Sequence, residues 1–264
     1  MNVISDTEAL TAFCDALSTA EYITVDTEFM RESTFWPILC LVQVAGPEDE
    51  AIIDPLADGV DLTPLYDLMA DENVLKVMHA PKQDIEIFHH EGGVTPKPLF
   101  DTQIAAMVAG FGDQVGYETL IAKLTKIRPD KGSRFTDWSQ RPLTDAQLEY
   151  ALGDVTHLRP AYEKLRRRIE ENGRLEWVEE EMVKLADPAL YEVVPENGWR
   201  RLKPKRNQPK YLAMLQAVAA WRDREAMARD LPRNRLMRDD VLAQIAARPP
   251  EDAHSLSRVR GIPK

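Results

Sequence analysis

Apolar and polar residues alternate along Tyr22–Phe29, and this pattern predicts a β-strand. Successive side chains of a strand point to opposite faces, so Asp26 and Glu28 share one face, and Phe29 belongs with the apolar residues of the other. Two adjacent carboxylates repel each other unless a cation lies between them. Because both offer oxygen ligands, the ion they suit is a hard divalent cation such as Mg²⁺ or Mn²⁺.

The remaining periodic segments predict an α/β protein. Two apolar runs, 38–45 and 50–54, follow the first strand closely and predict an antiparallel meander with it. Ser5–Glu8 has the form of a capping box, with Ser5 as the N-cap of a helix that runs to about Ser18. Similar patterns predict a strand at 74–78 and helices at 61–70, 81–91, 102–109, 117–125, 175–187, 211–229 and 239–247.

A second capping box, Thr144–Gln147, predicts one long helix through about Asn172. Tyr150 and Asp154 are four residues apart and therefore share a face of that helix. Gly153 between them costs about 1 kcal/mol relative to alanine. It either lets another backbone or a substrate come close, or it is an accident of packing.

Composition indicates a folded globular protein of one large and one smaller domain. The 264 residues are 44% hydrophobic and 29% charged. No apolar run approaches the roughly 18 residues that span a bilayer, and the N-terminus lacks a signal-peptide pattern. We therefore expect a cytoplasmic protein with no membrane partner. The sequence leaves the oligomeric state open, and we favour a monomer. Cys14 and Cys40 form neither a disulfide framework nor a zinc spacing, and we expect both to be core thiols.

The formal net charge of −11 is unevenly distributed. Residues 198–264 contain 16 Lys and Arg against 7 Asp and Glu, a net charge of +9, which leaves −20 for the rest of the chain. The basic tail could therefore approach phosphates by counterion release, and the acidic body is rich in potential metal ligands.

Four carboxylates from separate elements are candidates for one site. Asp84 lies in the first turn of the helix that begins near Pro81, just beyond the carboxyl end of a strand, where open α/β sheets place ligands. Together with Asp26, Glu28 and Asp154 it could hold two divalent ions about 3.5–4 Å apart, an arrangement that clamps a phosphodiester. Among 44 acidic residues, each motif taken alone could equally be a solvated face.

Three segments together carry a family resemblance. Residues 25–31, 79–84 and 150–154 resemble the exonuclease motifs of the DEDDy 3′–5′ exonucleases, and among these the ribonuclease D family in particular. The resemblance covers about residues 1–185. Further matching signatures lie at 35–43, 53–56, 100–103 and 137–143.

The resemblance implies an RNase H-like (DnaQ-like) exonuclease fold, with a mixed central sheet and flanking helices. It also implies two divalent metal ions, Mg²⁺ or Mn²⁺, bound by Asp26, Glu28, Asp84 and Asp154. Tyr150 would orient the attacking water. The expected activity is release of 5′-mononucleotides from single-stranded RNA 3′ ends, with tRNA precursors as the substrate class.

The same resemblance suggests several substrate contacts. Lys131 and Arg134 match positions that contact substrate in related enzymes, although both could belong to a solvated loop. His79 could contact substrate or be a hydrogen-bonded structural residue. Phe29 and Met30 could stack on or wedge between terminal bases, a mode that tolerates any sequence. Phe29 could instead be a core residue, because it shares the buried face of its strand.

The basic tail resembles the start of an HRDC domain, which needs further helices after Gly261. We therefore expect an exonuclease domain at 1–187, a linker at 188–209 and a partial HRDC-like helical domain at 210–264. Two other functions stay open on the sequence alone. The chain could be a DNA 3′–5′ exonuclease, because the motifs do not distinguish sugars. It could also be a non-catalytic RNA-binding protein that retains the exonuclease fold.

Overall fold

The computed structural model describes residues 1–129, 132–133, 136–204 and 206–262. The chain divides into two compact units. The first comprises Met1–Met30 and Leu39–Tyr191, and the second comprises Arg31–Ile38 and the residues from Glu192 onward.

The first unit is built on a six-stranded mixed sheet with the strand order β1-β4-β3-β2-β5-β6. β3 pairs antiparallel with β4, as the predicted meander requires, whereas β2 pairs parallel with β5, and β5 with β6. The strands are β1 (Val3–Ile4), β2 (Tyr22–Met30), β3 (Ile38–Ala45), β4 (Glu50–Ile53), β5 (Leu75–Met78) and β6 (Leu99–Asp101).

Helices flank this sheet, so the mixed α/β architecture expected from the sequence is confirmed. The helices of the first unit are α1 (Thr7–Leu17), α2 (Thr63–Ala70), α3 (Lys82–Gly92), α4 (Thr102–Val108), α5 (Tyr117–Thr125), α6 (Asp145–Thr156), α7 (Leu158–Glu171) and α8 (Leu175–Leu185).

β2 is buried on its predicted face. Ile23, Val25 and Thr27 are buried, whereas Asp26 and Glu28 are only partly covered. Cys14 and Cys40 are buried thiols, as expected, and burial raises the pKa of Cys14 to about 12. Within the described residues, no helix is both long and apolar enough to cross a membrane.

Two helix predictions were wrong in detail. The N-cap of α1 is Asp6 and not Ser5, because the Asp6 carboxylate accepts a hydrogen bond from the Ala9 amide in the extended conformation that a cap requires. The capping box at Thr144 is present. However, the helix it opens does not continue to Asn172: α6 and α7 are separate helices that meet at His157.

The second unit is helical. A 3₁₀ helix at Pro195–Leu202 occupies part of the stretch that was expected to be a linker, because Trp199 and Leu202 pack against the apolar cluster of this unit. The short helices α10 and α12 were not predicted. The α-helices of this unit are α9 (Pro209–Arg229), α10 (Arg233–Leu236), α11 (Asp239–Ala247) and α12 (Ala253–Ser257).

Arg141 fixes the loop that leads into α6. Its guanidinium donates two hydrogen bonds to the Asp54 carboxylate, at 2.7 Å and 2.6 Å. It also donates to the carbonyl oxygens of Cys40 on β3 and Trp138, each at 2.8 Å. One planar side chain therefore joins β3, the end of β4 and the chain segment before α6.

We expect Arg141→Met to lower the free energy of unfolding by about 2 kcal/mol, because three carbonyls, those of Cys40, Trp138 and Gln140, lose a donor and the Asp54 carboxylate loses two hydrogen bonds. Chemical denaturation would measure this change. Lys184→Met is the matched control, since it removes an exposed ion pair with Glu181 and should cost about 0.5 kcal/mol or less. Equal effects of the two substitutions would contradict the anchoring role of Arg141.

Candidate active site

Three carboxylates meet where β2 faces α6. One oxygen atom from each of Asp26, Glu28 and Asp154 lies within 4.8 Å of the other two. β2 presents Asp26 and Glu28 on one face because they are two residues apart, and α6 supplies Asp154. All three side chains are partly buried, and a carboxylate group of this kind can hold a divalent cation.

Asp84, the fourth predicted ligand, lies beside this group in the first turn of α3. It is buried, and its Oδ1 accepts a hydrogen bond from the Thr27 hydroxyl. Burial raises the pKa of Asp84 to about 6, although the Thr27 hydrogen bond acts in the opposite direction. Thr27 thus links the buried face of β2 to the start of α3.

The electrostatics of the site are those of a cluster of carboxylates that repel one another. Burial raises the pKa of Asp26 well above its ordinary value, and the charges of Asp154, Asp84 and Glu28 raise it further. A bound cation would remove this repulsion. Because the ligands are carboxylate oxygens, the donor set fits a hard divalent ion such as Mg²⁺ or Mn²⁺.

The carboxyl end of α6 is held by side chains from β2 and α5. The Thr24 hydroxyl on β2 donates to the carbonyl oxygen of Val155 at 2.9 Å. The Tyr117 hydroxyl lies 3.0 Å from the carbonyl oxygen of Gly153 and 2.8 Å from that of Asp154. The Gly153 carbonyl also accepts the His157 amide at 3.1 Å. The two hydroxyls add side-chain attachments to the last turn of α6 and so fix the backbone of Asp154.

Neither Tyr117 nor Thr24 was identified as a site residue from the sequence. Tyr117 was expected only as the first residue of a helix, because its hydrogen-bonding partners lie more than 30 positions away. The space beside Gly153 is limited, because a Cβ atom there would lie 3.3 Å from Cε1 of His157. The close neighbour at Gly153 is therefore a side chain of the helix junction.

A cleft of about 610 Å³ opens over the carboxylates. Tyr150 lines it, one helical turn before Asp154, and the Tyr150 ring lies 6.0 Å from the buried ring of Trp138. The other residues along the cleft are Thr27, Phe29, His79, Ala80, Gln83, Gln103, Gly116, Tyr117, Glu118, Thr119 and Leu158, together with Asp26, Glu28 and Asp154.

The predicted substrate contacts differ in their placement. Phe29 lines the cleft while packing partly against the core. His79 also lines it, and its Nδ1 lies 2.9 Å from the Thr102 hydroxyl. Burial lowers the pKa of His79 to about 4, so its ring is neutral at pH 7. Met30 instead packs in the cluster of Cys40, Leu41 and Trp138, which gives its predicted contact with RNA bases no support.

Lys131 and Arg134 lie outside the described residues, so their predicted contacts with substrate stay predictions. The structure therefore brings together Asp26, Glu28 and Asp154, places Asp84 next to them, and places Tyr150, His79 and Phe29 along the same cleft.

Two family models match the chain. A model described as 3′–5′ exonuclease matches residues 1–170, and an HRDC domain model matches residues 212–264. The first match contains all four carboxylates and Tyr150.

Curated relatives match over nearly the whole chain. Ribonuclease D of Acidiphilium cryptum is 56% identical over 260 residues, and ribonuclease D of Granulibacter bethesdensis is 54% identical over 260 residues. Each match covers 98% of this chain and 66% of the relative. The chain thus spans about two thirds of the length of these relatives.

A solved structure gives the same assignment. The crystal structure of Escherichia coli RNase D superimposes with a TM-score of 0.91 at 35% sequence identity, covering 99% of this chain and 70% of the other. From the family models, the relatives and this structural match, we conclude that the chain belongs to the ribonuclease D family.

Proposed function

We propose that this chain is a metal-dependent 3′–5′ exoribonuclease that releases 5′-mononucleotides from RNA 3′ ends. The observation that carries the proposal is the cluster of Asp26, Glu28 and Asp154 within 4.8 Å at the base of an open cleft. Hydrolysis of a phosphodiester develops negative charge, which an array of bare carboxylates would oppose. The cluster therefore suits this reaction only with cations between the carboxylates and the substrate.

Asp26, Glu28, Asp84 and Asp154 are the proposed ligands of two Mg²⁺ or Mn²⁺ ions. Such ions would lower the pKa of a bound water and offset charge on the phosphate oxygens. The protein contributes the fixed positions of the ligands. Thr27 holds one oxygen of Asp84, which leaves the other oxygen as the ligand atom that we propose.

Tyr150 is the residue that we propose to orient the attacking water. Its position one turn before Asp154 brings it to the cleft beside the carboxylates. An ordinary tyrosine has a pKa near 10 and is a poor base at neutral pH. We therefore assign Tyr150 a hydrogen-bonding role, which fixes the direction of attack.

RNA is the proposed substrate class. The E. coli match is described as an exoribonuclease involved in structured RNA processing, and we extend that role, with tRNA precursors as candidate substrates, to this chain. Within the cleft, Phe29 and the neutral ring of His79 offer flat surfaces to a terminal nucleotide. Stacking on such rings does not depend on base identity.

We expect Asp26→Asn to slow Mn²⁺-dependent trimming of 5′-labelled single-stranded RNA by about 10³-fold or more. Loss of a metal ligand removes several kcal/mol of transition-state stabilisation, and each 1.36 kcal/mol is a factor of ten. The assay follows shortening from the 3′ end by gel electrophoresis. Asp113→Asn is the control, since Asp113 is an exposed carboxylate outside the cleft and should retain wild-type activity.

The same assay with a DNA strand of matched sequence tests the substrate class. The wild-type protein should shorten RNA faster than DNA. Faster DNA digestion would instead support a DNA exonuclease, and unchanged RNA trimming by Asp26→Asn would contradict the metal mechanism.

Tyr150→Phe should lower kcat by about 10- to 100-fold, which is the range for one positioned hydrogen bond in catalysis. It should leave metal binding intact. Saturating Mn²⁺ should therefore raise the Tm of wild type and Tyr150→Phe equally, by several degrees, because ligand binding stabilises the folded state. Loss of the Mn²⁺ shift in Tyr150→Phe would contradict a role limited to orienting water.

A further inference from the structure

The second unit contains a cavity of about 320 Å³ whose chemistry differs from that of the catalytic cleft. Segment 31–38 forms part of its wall, and α9, α10 and α11 supply most of the rest. The lining is rich in arginine. Its residues are Arg31, Thr34, Phe35, Arg201, Leu202, Arg222, Pro232, Arg233, Asn234 and Asp239. We refer to it as the arginine pocket.

Arg222 provides a buried donor at this pocket. The side chain is only 2% exposed, and its Nη1 donates to the carbonyl oxygen of Met237 and to Oδ1 of Asp239, each at 2.7 Å. Its Nε–H is also buried but has no hydrogen-bond partner among the described residues.

Two further guanidinium groups are fixed by one buried carboxylate. Asp223 is fully buried and accepts hydrogen bonds from Arg201 and, at 2.9 Å, from Arg233. Arg233 also stacks on the ring of Phe35, with its Cζ 4.2 Å from the ring centroid. A Cβ atom at Gly198 would lie 2.6 Å from Asp223, so a residue without a side chain is needed for this approach.

The wall segment is fixed in turn by α9. Oδ1 of Asp230 accepts hydrogen bonds from the backbone amides of Phe35 and Trp36, each at 3.0 Å. Asp230 ends the helix in a left-handed conformation, with φ +47°. Contacts within the protein therefore fix the wall of the arginine pocket, which lowers the entropic cost of binding a ligand there.

The arrangement concentrates positive charge. Four arginines line the pocket, of which Arg222 pairs with Asp239, while Arg201 and Arg233 share the one buried carboxylate of Asp223. Burial lowers the pKa of Arg233, and the neighbouring Arg201 and Arg222 lower it further, although Asp223 opposes this. Crowded guanidinium groups of this kind are stabilised by an additional anion.

We propose that the arginine pocket binds a backbone phosphate of the RNA strand. Guanidinium groups match phosphate in shape and hydrogen-bond it through two parallel N–H donors. The net charge of +9 over residues 198–264 would attract the RNA strand to this unit by counterion release. The choice of RNA as the source of the phosphate rests on the proposed function.

The test is a pair of charge-matched substitutions in an Asp26→Asn background, in which the RNA is not consumed. Asn234→Asp places a negative charge at an exposed lining residue without changing its size, so the fold is retained. Asn207→Asp adds the same charge at an exposed position outside the pocket. Binding of a fluorescent 12-nucleotide oligo(A) strand is measured by anisotropy.

We expect Asn234→Asp to weaken binding about tenfold and to make the slope of log K against log salt shallower by about 0.7, the value for one lost phosphate contact on a single strand. Asn207→Asp should change the affinity less than about twofold. A second pair of substitutions is Arg201→Gln and Arg224→Gln. Both arginines are half-exposed and each pairs with one acidic residue, but only Arg201 lines the pocket. Arg201→Gln should weaken binding more.

Equal weakening within each pair would overturn the proposal, because only net charge would then matter. Inorganic phosphate at constant ionic strength distinguishes the source of the ligand. Two results together would show that the pocket takes free phosphate and that the RNA assignment is wrong. In the first, phosphate raises the Tm of the Asp26→Asn protein but not that of its Asn234→Asp derivative. In the second, Asn234→Asp leaves RNA binding unchanged. Failure of the exonuclease proposal would appear separately, as a wild-type protein that does not shorten the strand in the presence of Mn²⁺.

Discussion

Mutual repulsion among Asp26, Glu28 and Asp154 is the constraint on which the catalytic unit depends. Carboxylates whose oxygens lie within 4.8 Å of one another would separate if their backbones were free to move. The raised pKa of Asp26 expresses the same cost. The sheet and helices offset it, because β2 lies inside the sheet between β3 and β5 with Ile23 and Val25 fully buried. The fold therefore holds the three carboxylates together against their mutual repulsion.

The junction between α6 and α7 is the second part of this arrangement. At this junction the His157 amide still donates to the Gly153 carbonyl, and the Tyr117 and Thr24 hydroxyls donate to the carbonyls of Gly153, Asp154 and Val155. These bonds attach the last turn of α6, which carries Asp154, to α5 and to β2, which carries Asp26 and Glu28.

Features with local causes could be predicted from the sequence. The alternation along β2 fixes which side chains are buried, and the Thr144 capping box fixes the start of α6. The break at His157 has a local cause that the apolar periodicity does not show: Pro160 has no N–H to donate, and its ring would clash with the carbonyl of Thr156, the last residue of α6. The hydrogen bonds of Tyr117 and Thr24 to the end of α6 could not be predicted, because these residues lie far away in sequence.

The arginine pocket shows the same limit on prediction. The positive tail is visible as composition, but its arginines acquire fixed positions through Asp223 and Asp239 and through a wall segment that precedes them by more than 150 residues. Charge counts predict an attraction to phosphate. Only the fold shows that Arg222 keeps a buried donor without a partner among the described residues.

The central claim is that Asp26, Glu28, Asp84 and Asp154 together hold two divalent ions. Anomalous diffraction from crystals soaked in Mn²⁺ tests it most directly, because the anomalous signal identifies the metal and gives its position. The account predicts two peaks about 3.5–4 Å apart, within bonding distance of these carboxylates. Saturating Mn²⁺ with no peak at this cluster, or with peaks bound only by other residues, would contradict it.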